Sequence, residues 1–84
     1  MNYTNRMTIK VLFFGATADV TGKREMLLET SAQSASAAVN EIVEANPALL
    51  RHKLLVAINE NYIQGAETLN DGDVLAVFTA VSGG

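Results

Sequence analysis

The sequence has no cysteine and no tryptophan among its 84 residues. The first absence excludes disulfides, iron–sulfur clusters, thiolate zinc sites and cysteine nucleophiles. A single histidine, His52, leaves too little for a histidine-rich metal site or a Ser-His-Asp arrangement, so no metal is expected. Six Lys and Arg stand against nine Asp and Glu, a formal net charge of −3, which argues against a nucleic-acid-binding surface. Long hydrophobic runs are also missing. The early apolar run from Val11 to Phe14 falls far short of the ~20 residues of a membrane helix, and no segment is built like a signal peptide. Neither nucleic acid nor membrane is expected as a partner, and the compartment reads as cytoplasmic.

What is present suits one packed globule. Hydrophobic residues make up 49% and charged residues 18%, well away from the composition of a disordered chain. A chain of this length encloses one core and buries roughly 60% of the surface it would expose unfolded.

Residues 1–6 are polar and without periodicity, and are expected to form a loose extension. From Thr8 the chain reads Thr-Ile-Lys-Val-Leu-Phe-Phe, a β-rich run in which Ile9, Val11 and Phe13 share one face and Lys10, Leu12 and Phe14 the other. Gly15 breaks this run. With Thr21-Gly22 marking a turn and a second strand between Lys23 and Glu29, the pattern predicts a hairpin with a fairly long loop. The period then changes. Ala35, Ala38, Val39, Ile42 and Val43 form one stripe of an amphipathic helix, with Ser34 as N-cap and Pro47 as its stop. Extended segments are expected over 53–58, 62–64 and 74–80, the last preceded by an Asn70-Asp71-Gly72-Asp73 turn. One helix over one face of a mixed four- or five-stranded sheet follows, an α+β architecture whose element order fits the β-grasp, or ubiquitin-like, fold.

Most candidate sites within the domain have plainer explanations. Phe14-Gly15 and Gly22-Lys23 resemble a phosphate loop, but six residues separate the glycines and Arg24 stands where a magnesium-binding hydroxyl belongs. Asp71 and Asp73 lack the spaced oxygen ligands and distal Glu of a cation loop and read as a turn. His52, flanked by Arg51 and Lys53, and the helix residues Glu41 and Glu44 read as solvated surface. The end of the sequence is different. A strand runs nearly to Ser82-Gly83-Gly84, and a glycine pair without Cβ atoms can thread a narrow channel and bring a carboxylate to another protein's catalytic groups. The domain is therefore expected over 7–80, with a working tail over 81–84.

The residues from Met7 to Phe14, Leu55 to Asn59, Leu69 to Asp73, and Phe78 with Val81-Ser82-Gly83-Gly84 resemble, in order, the small sulfur-carrying subunit of molybdopterin synthase. The resemblance covers almost the whole chain from Met7 and extends to the thiamine-pathway sulfur carrier, which shares the fold and the Gly-Gly end. It departs at Thr79-Ala80, where the family usually has Pro-Pro, leaving the segment free to hinge or to pair further along the strand. The resemblance implies that an E1-like enzyme uses ATP to adenylate Gly84, and that a sulfur donor converts it to a thiocarboxylate. Val81, Ser82 and Gly83 would then thread the large synthase subunit, in a complex implied to be a heterotetramer, and deliver sulfur to a cyclic pterin precursor. No cofactor is bound permanently, and the catalytic side chains are expected in the large subunit. Alternation places Leu12, Phe14, Val74, Ala76 and Phe78 on the outer face of the sheet, and Tyr62 falls where the family presents an apolar contact. Phe14, Tyr62 and Phe78 are thus the expected partner-binding patch. The residues themselves leave other readings open: a carrier for another pathway, a protein modifier joined through Gly84, or an interaction module with an inert tail.

Overall fold

Alternation along β1, Met7–Phe13, buries Ile9, Val11 and Phe13 on one side of the strand. In the computed structural model, residues 6–64 and 66–80 are described. The expected extension (1–6, apart from Arg6) and the tail over 81–84 lie outside them. The strands β2 (Glu25–Thr30), β3 (Leu54–Ile58), β4 (Asn61–Tyr62) and β5 (Val74–Thr79) complete one five-stranded sheet of order β2-β1-β5-β3-β4. Strands β1 and β5 are parallel at its centre, while β2, β3 and β4 pair antiparallel to their neighbours. This is the mixed β-grasp sheet expected from the order of elements.

The main helix, α2 (Ala35–Ala45), covers one face. Ser34 is its N-cap, with its hydroxyl oxygen accepting the Ala37 N–H at 3.2 Å. Ala35, Ala38 and Ile42 are buried, with Val39 and Val43 packed beside them. The helix ends at Asn46, before Pro47, and the chain continues as a 3₁₀ turn over Pro47–Arg51 that buries Leu49. The core closes with Leu69, Leu75 and Val77. On the polar side of α2, Glu41 is exposed but not merely solvated, since the buried Thr30 hydroxyl donates to its carboxylate at 2.7 Å.

The β1–β2 connection is not a simple hairpin loop. It contains a short helix, α1 (Ala16–Thr21), entered at Gly15 with φ 58° and closed by Gly22 in the left-handed region, where the glycine N–H bonds to the Ala18 carbonyl. Six residues are too few for periodicity to show, and a distant contact fixes them. Thr17 is fully buried, and its hydroxyl lies 2.7 Å from the Phe14 carbonyl oxygen and 2.9 Å from that of Val77. The hydroxyl therefore ties α1 to β5.

Thr17→Val is expected to lower stability by about 1 kcal/mol, since one neutral hydroxyl contact is lost while both carbonyls keep a donor. Those donors are the Thr17 N–H on Phe14 at 3.2 Å and the Phe14 N–H on Val77 at 3.1 Å. Thermal denaturation checks this as a fall in Tm of about 4–8 °C, and an unchanged Tm would show that the bridge contributes nothing.

Asn70 to Asp73 forms the expected turn, and its carboxylates are engaged with backbone. Asp71 accepts the Thr8 N–H at 2.7 Å and Asp73 the Asn70 N–H at 2.8 Å. Asn59 joins them. Its side-chain oxygen accepts the Val74 N–H at 3.0 Å and its amide donates to Asp73 at 3.0 Å. This stretch therefore locks the start of β5 to β1 and to the end of β3.

Candidate functional site

Every strand in this sheet contributes an apolar side chain to a second face, turned away from α2, although Leu27 of the edge strand β2, opposite Lys10, stands outside the depression formed there. The register sets Leu12 against Ala76, Ala76 against Ala57, Phe78 against Leu55, and Ala57 against Tyr62. Paired residues share a face, so these side chains form one continuous outer surface. Two alanines at its centre leave a floor without bulk. Leu12, Phe14, Tyr62, Val74 and Phe78 stand around that floor, enclosing an open depression of ≈ 620 Å³.

The three aromatic residues expected to form a patch do meet. The Phe14 and Phe78 rings pack edge-to-face at 6.1 Å between centroids, and Tyr62 lies tilted on Phe78 at 5.4 Å. Phe14 remains 50% and Tyr62 73% exposed, so the cluster does not close into a second core. Only Ala57, beneath them, is fully shielded at 5%. Open apolar surfaces of this kind are typical of interaction sites. Among the described residues, Tyr62 and Glu60 are the titratable side chains lining the depression, and both are exposed.

Sequence reasoning missed three contributors, Ala57, Asn59 and Glu60. Ala57 occupies an outward position of β3, and only the β3–β5 register reveals that it faces Ala76. Glu60, at the rim, sits in a turn whose sequence carries no glycine to announce it. That turn also moves the short strand from the expected 62–64 to Asn61–Tyr62.

Strand β5 carries the face toward the tail. Its pairing extends past Phe78: Thr79 lies opposite Leu54, and the Ala80 N–H donates to the Lys53 carbonyl at 3.0 Å. Proline at position 80 has no N–H to make that bond, so Thr79-Ala80 in place of Pro-Pro lets the strand pair to its end. The four residues that follow, Val81, Ser82, Gly83 and Gly84, lie outside the described residues. By chain length alone Gly84 is within about 14 Å of Ala80.

Among the described residues no group of three or more His, Asp or Glu side chains is placed to hold a metal, and no helix is long and apolar enough to cross a membrane. Comparison with known proteins places this geometry. The ThiS family model matches residues 11–84, and so takes in the aromatic cluster and the Gly-Gly end. The molybdopterin synthase sulfur carrier subunit of Chlamydomonas reinhardtii is 34% identical over 83 positions, covering 93% of this chain and all of that one. Among solved structures, SAMP1 from Haloferax volcanii superposes with a TM-score of 0.79 at 27% identity, over 92% of this chain and 99% of that one. Subunits 1 and 2 of the molybdopterin-converting factor from Helicobacter pylori have been solved as a complex, and one chain of it shares the fold with a TM-score of 0.67 at 23% identity, over 93% of this chain and 100% of that one. The chain therefore belongs to the ThiS family of β-grasp proteins, together with the molybdopterin synthase sulfur carrier subunit that it matches along nearly its whole length.

Proposed function

We propose that this protein is the sulfur-carrier subunit of a molybdopterin synthase, and that Gly84 carries the sulfur as a C-terminal thiocarboxylate. The relationship to a molybdopterin synthase sulfur carrier subunit carries this reading, since it spans nearly all of both chains. A carboxylate resists nucleophilic attack, so Gly84 is first adenylated by an E1-like enzyme at the expense of ATP, releasing pyrophosphate. A sulfur donor then displaces AMP and leaves the thiocarboxylate. The large subunit docks on the Leu12–Phe14–Tyr62–Phe78 face, receives residues 81–84 in its active site and supplies the catalytic side chains. Sulfur passes to the cyclic pterin precursor and the Gly84 carboxylate is restored. A partner seated on that face lies close to the start of the tail, because Phe78 is two residues from Ala80.

Intact mass spectrometry of the protein from its native cell is expected to show a fraction heavier by the exchange of one oxygen for sulfur. That exchange should reside in the peptide ending at Gly84. Its repeated absence with the activating enzyme, ATP and a sulfur donor supplied removes the carrier reading. The thiocarboxylated protein, mixed with the large subunit and the cyclic precursor, should yield the dithiolene product. Failure there combined with thiazole formation in a thiamine assay would move the protein to the other pathway and leave its role as a carrier standing.

A further inference from the structure

The β3–β4 hairpin is closed by a two-residue loop, with Ile58 opposite Asn61 and only Asn59 and Glu60 between them. Both central residues have positive φ, 49° for Asn59 and 75° for Glu60, which defines a type I′ turn. Asparagine suits the first position, and here its side chain is also engaged with Val74 and Asp73. The second position is one that glycine fills without strain, whereas the Cβ of glutamate makes the left-handed region costly there. The bonds of Asn59 hold the turn, but the Glu60 side chain itself offsets none of that cost. The Glu60 side chain is exposed and makes no hydrogen bond or ion pair among the described residues. The ion pair found among them joins Lys10 to Glu25 at 3.8 Å, on the β1–β2 side of the sheet. Glu60 does, however, line the outer-face depression, beside Asn59 and Tyr62.

A strained residue whose side chain makes no hydrogen bond or ion pair within its own fold directs attention to what it presents. We infer that Glu60 is a specificity-determining residue of the docking face, setting a carboxylate at the rim of the apolar depression to pair with a lysine or arginine side chain of the large subunit. The inference rests on the proposed function for the identity of the partner. It adds the chemistry that partner must bring: a cation beside an apolar knob that fills the space between Phe14, Tyr62 and Phe78. A charge at the rim of an interface acts through encounter rate and register more than through buried contact area, so its effect fades with salt.

Two variants separate strain from charge. E60Q keeps the backbone and side-chain length but removes the charge. E60G removes both the charge and the strain. Binding of each full-length variant to the large subunit is measured by calorimetry at low and high salt, alongside Tm. Both variants are expected to bind about fivefold more weakly than wild type at low salt, with the gap closing at high salt. Tm should stay unchanged in E60Q and rise by about 4 °C or more in E60G. E60Q binding as tightly as wild type at low salt, or no rise in Tm for E60G, overturns the inference while the proposed function stands. A wild-type protein that does not bind the large subunit overturns both.

Discussion

Deletion of Gly84, or addition of one residue after it, is expected to abolish sulfur delivery and leave the melting temperature where it was. The two halves of this result have separate causes. A carrier must present its terminal carbon to two active sites in turn, first that of the activating enzyme and then that of the synthase. Its reach is set by the number of residues beyond the last strand bond, between Ala80 and Lys53. One residue fewer shortens that reach by about 3.5 Å. Reaction requires the attacking and attacked atoms to lie about 3–3.5 Å apart, so an error of this size removes productive geometry altogether. One residue more buries the wrong carbonyl and leaves the terminal carboxylate beyond the catalytic groups. The core lies entirely upstream, from Ile9 to Val77, so neither change alters its packing. Gly83→Ala is expected to impair transfer in the same assay, because a Cβ crowds a channel shaped for bare backbone. Binding is the control. The deletion variant keeps its outer face and should compete with wild type for the large subunit. Full transfer by the deletion variant would falsify the assignment of Gly84 as the sulfur's position.

How far these features could be read from the sequence depends on the range of the interactions that fix them. Strands β1 and β5 and helix α2 were legible because each carries its own period: alternation in Ile9, Val11 and Phe13, and a stripe in Ala35, Ala38 and Ile42. Those periods also assigned the outer face, since every residue that alternation places inward fixes its neighbours outward. Ser34, Pro47 and the Asn70–Asp73 turn were legible for a different reason. Their local chemistry allows few conformations. Helix α1 has neither support. Its anchor is the contact of Thr17 with the Val77 carbonyl across 60 positions of sequence, which no local pattern encodes. The β3–β4 turn stayed hidden because glutamate stands where glycine would have announced it. The depression, too, emerges only from the pairing of Ala57 with Ala76, two small residues whose adjacency is a property of strand register.

Replacing Phe78 by alanine is expected to weaken binding to the large subunit by ~2 kcal/mol or more, about 30-fold in Kd, while the protein stays folded. Phe78 is the middle ring of the cluster, touching Phe14 on one side and Tyr62 on the other, and it is half-buried where its neighbours are exposed. A partner that fills the depression therefore meets Phe78 at the centre of the contact, where truncation has its largest effect. Phe14 and Tyr62 form the surrounding wall, and their truncation should cost less. Within the free protein the same substitution removes two aromatic contacts, each contributing about 0.5–1.5 kcal/mol. That loss is a minor part of the 5–15 kcal/mol typical of a folded domain, so circular dichroism should report an intact fold. The side chain points away from α2, and the core built from Ile9, Val11, Leu75 and Val77 is not opened to water. Comparing the two measurements decides between roles. An affinity within a few tenths of a kcal/mol of wild type would remove Phe78 from the docking face. Unfolding of the variant would instead mean that the three rings act as a second core and that their exposure is incidental.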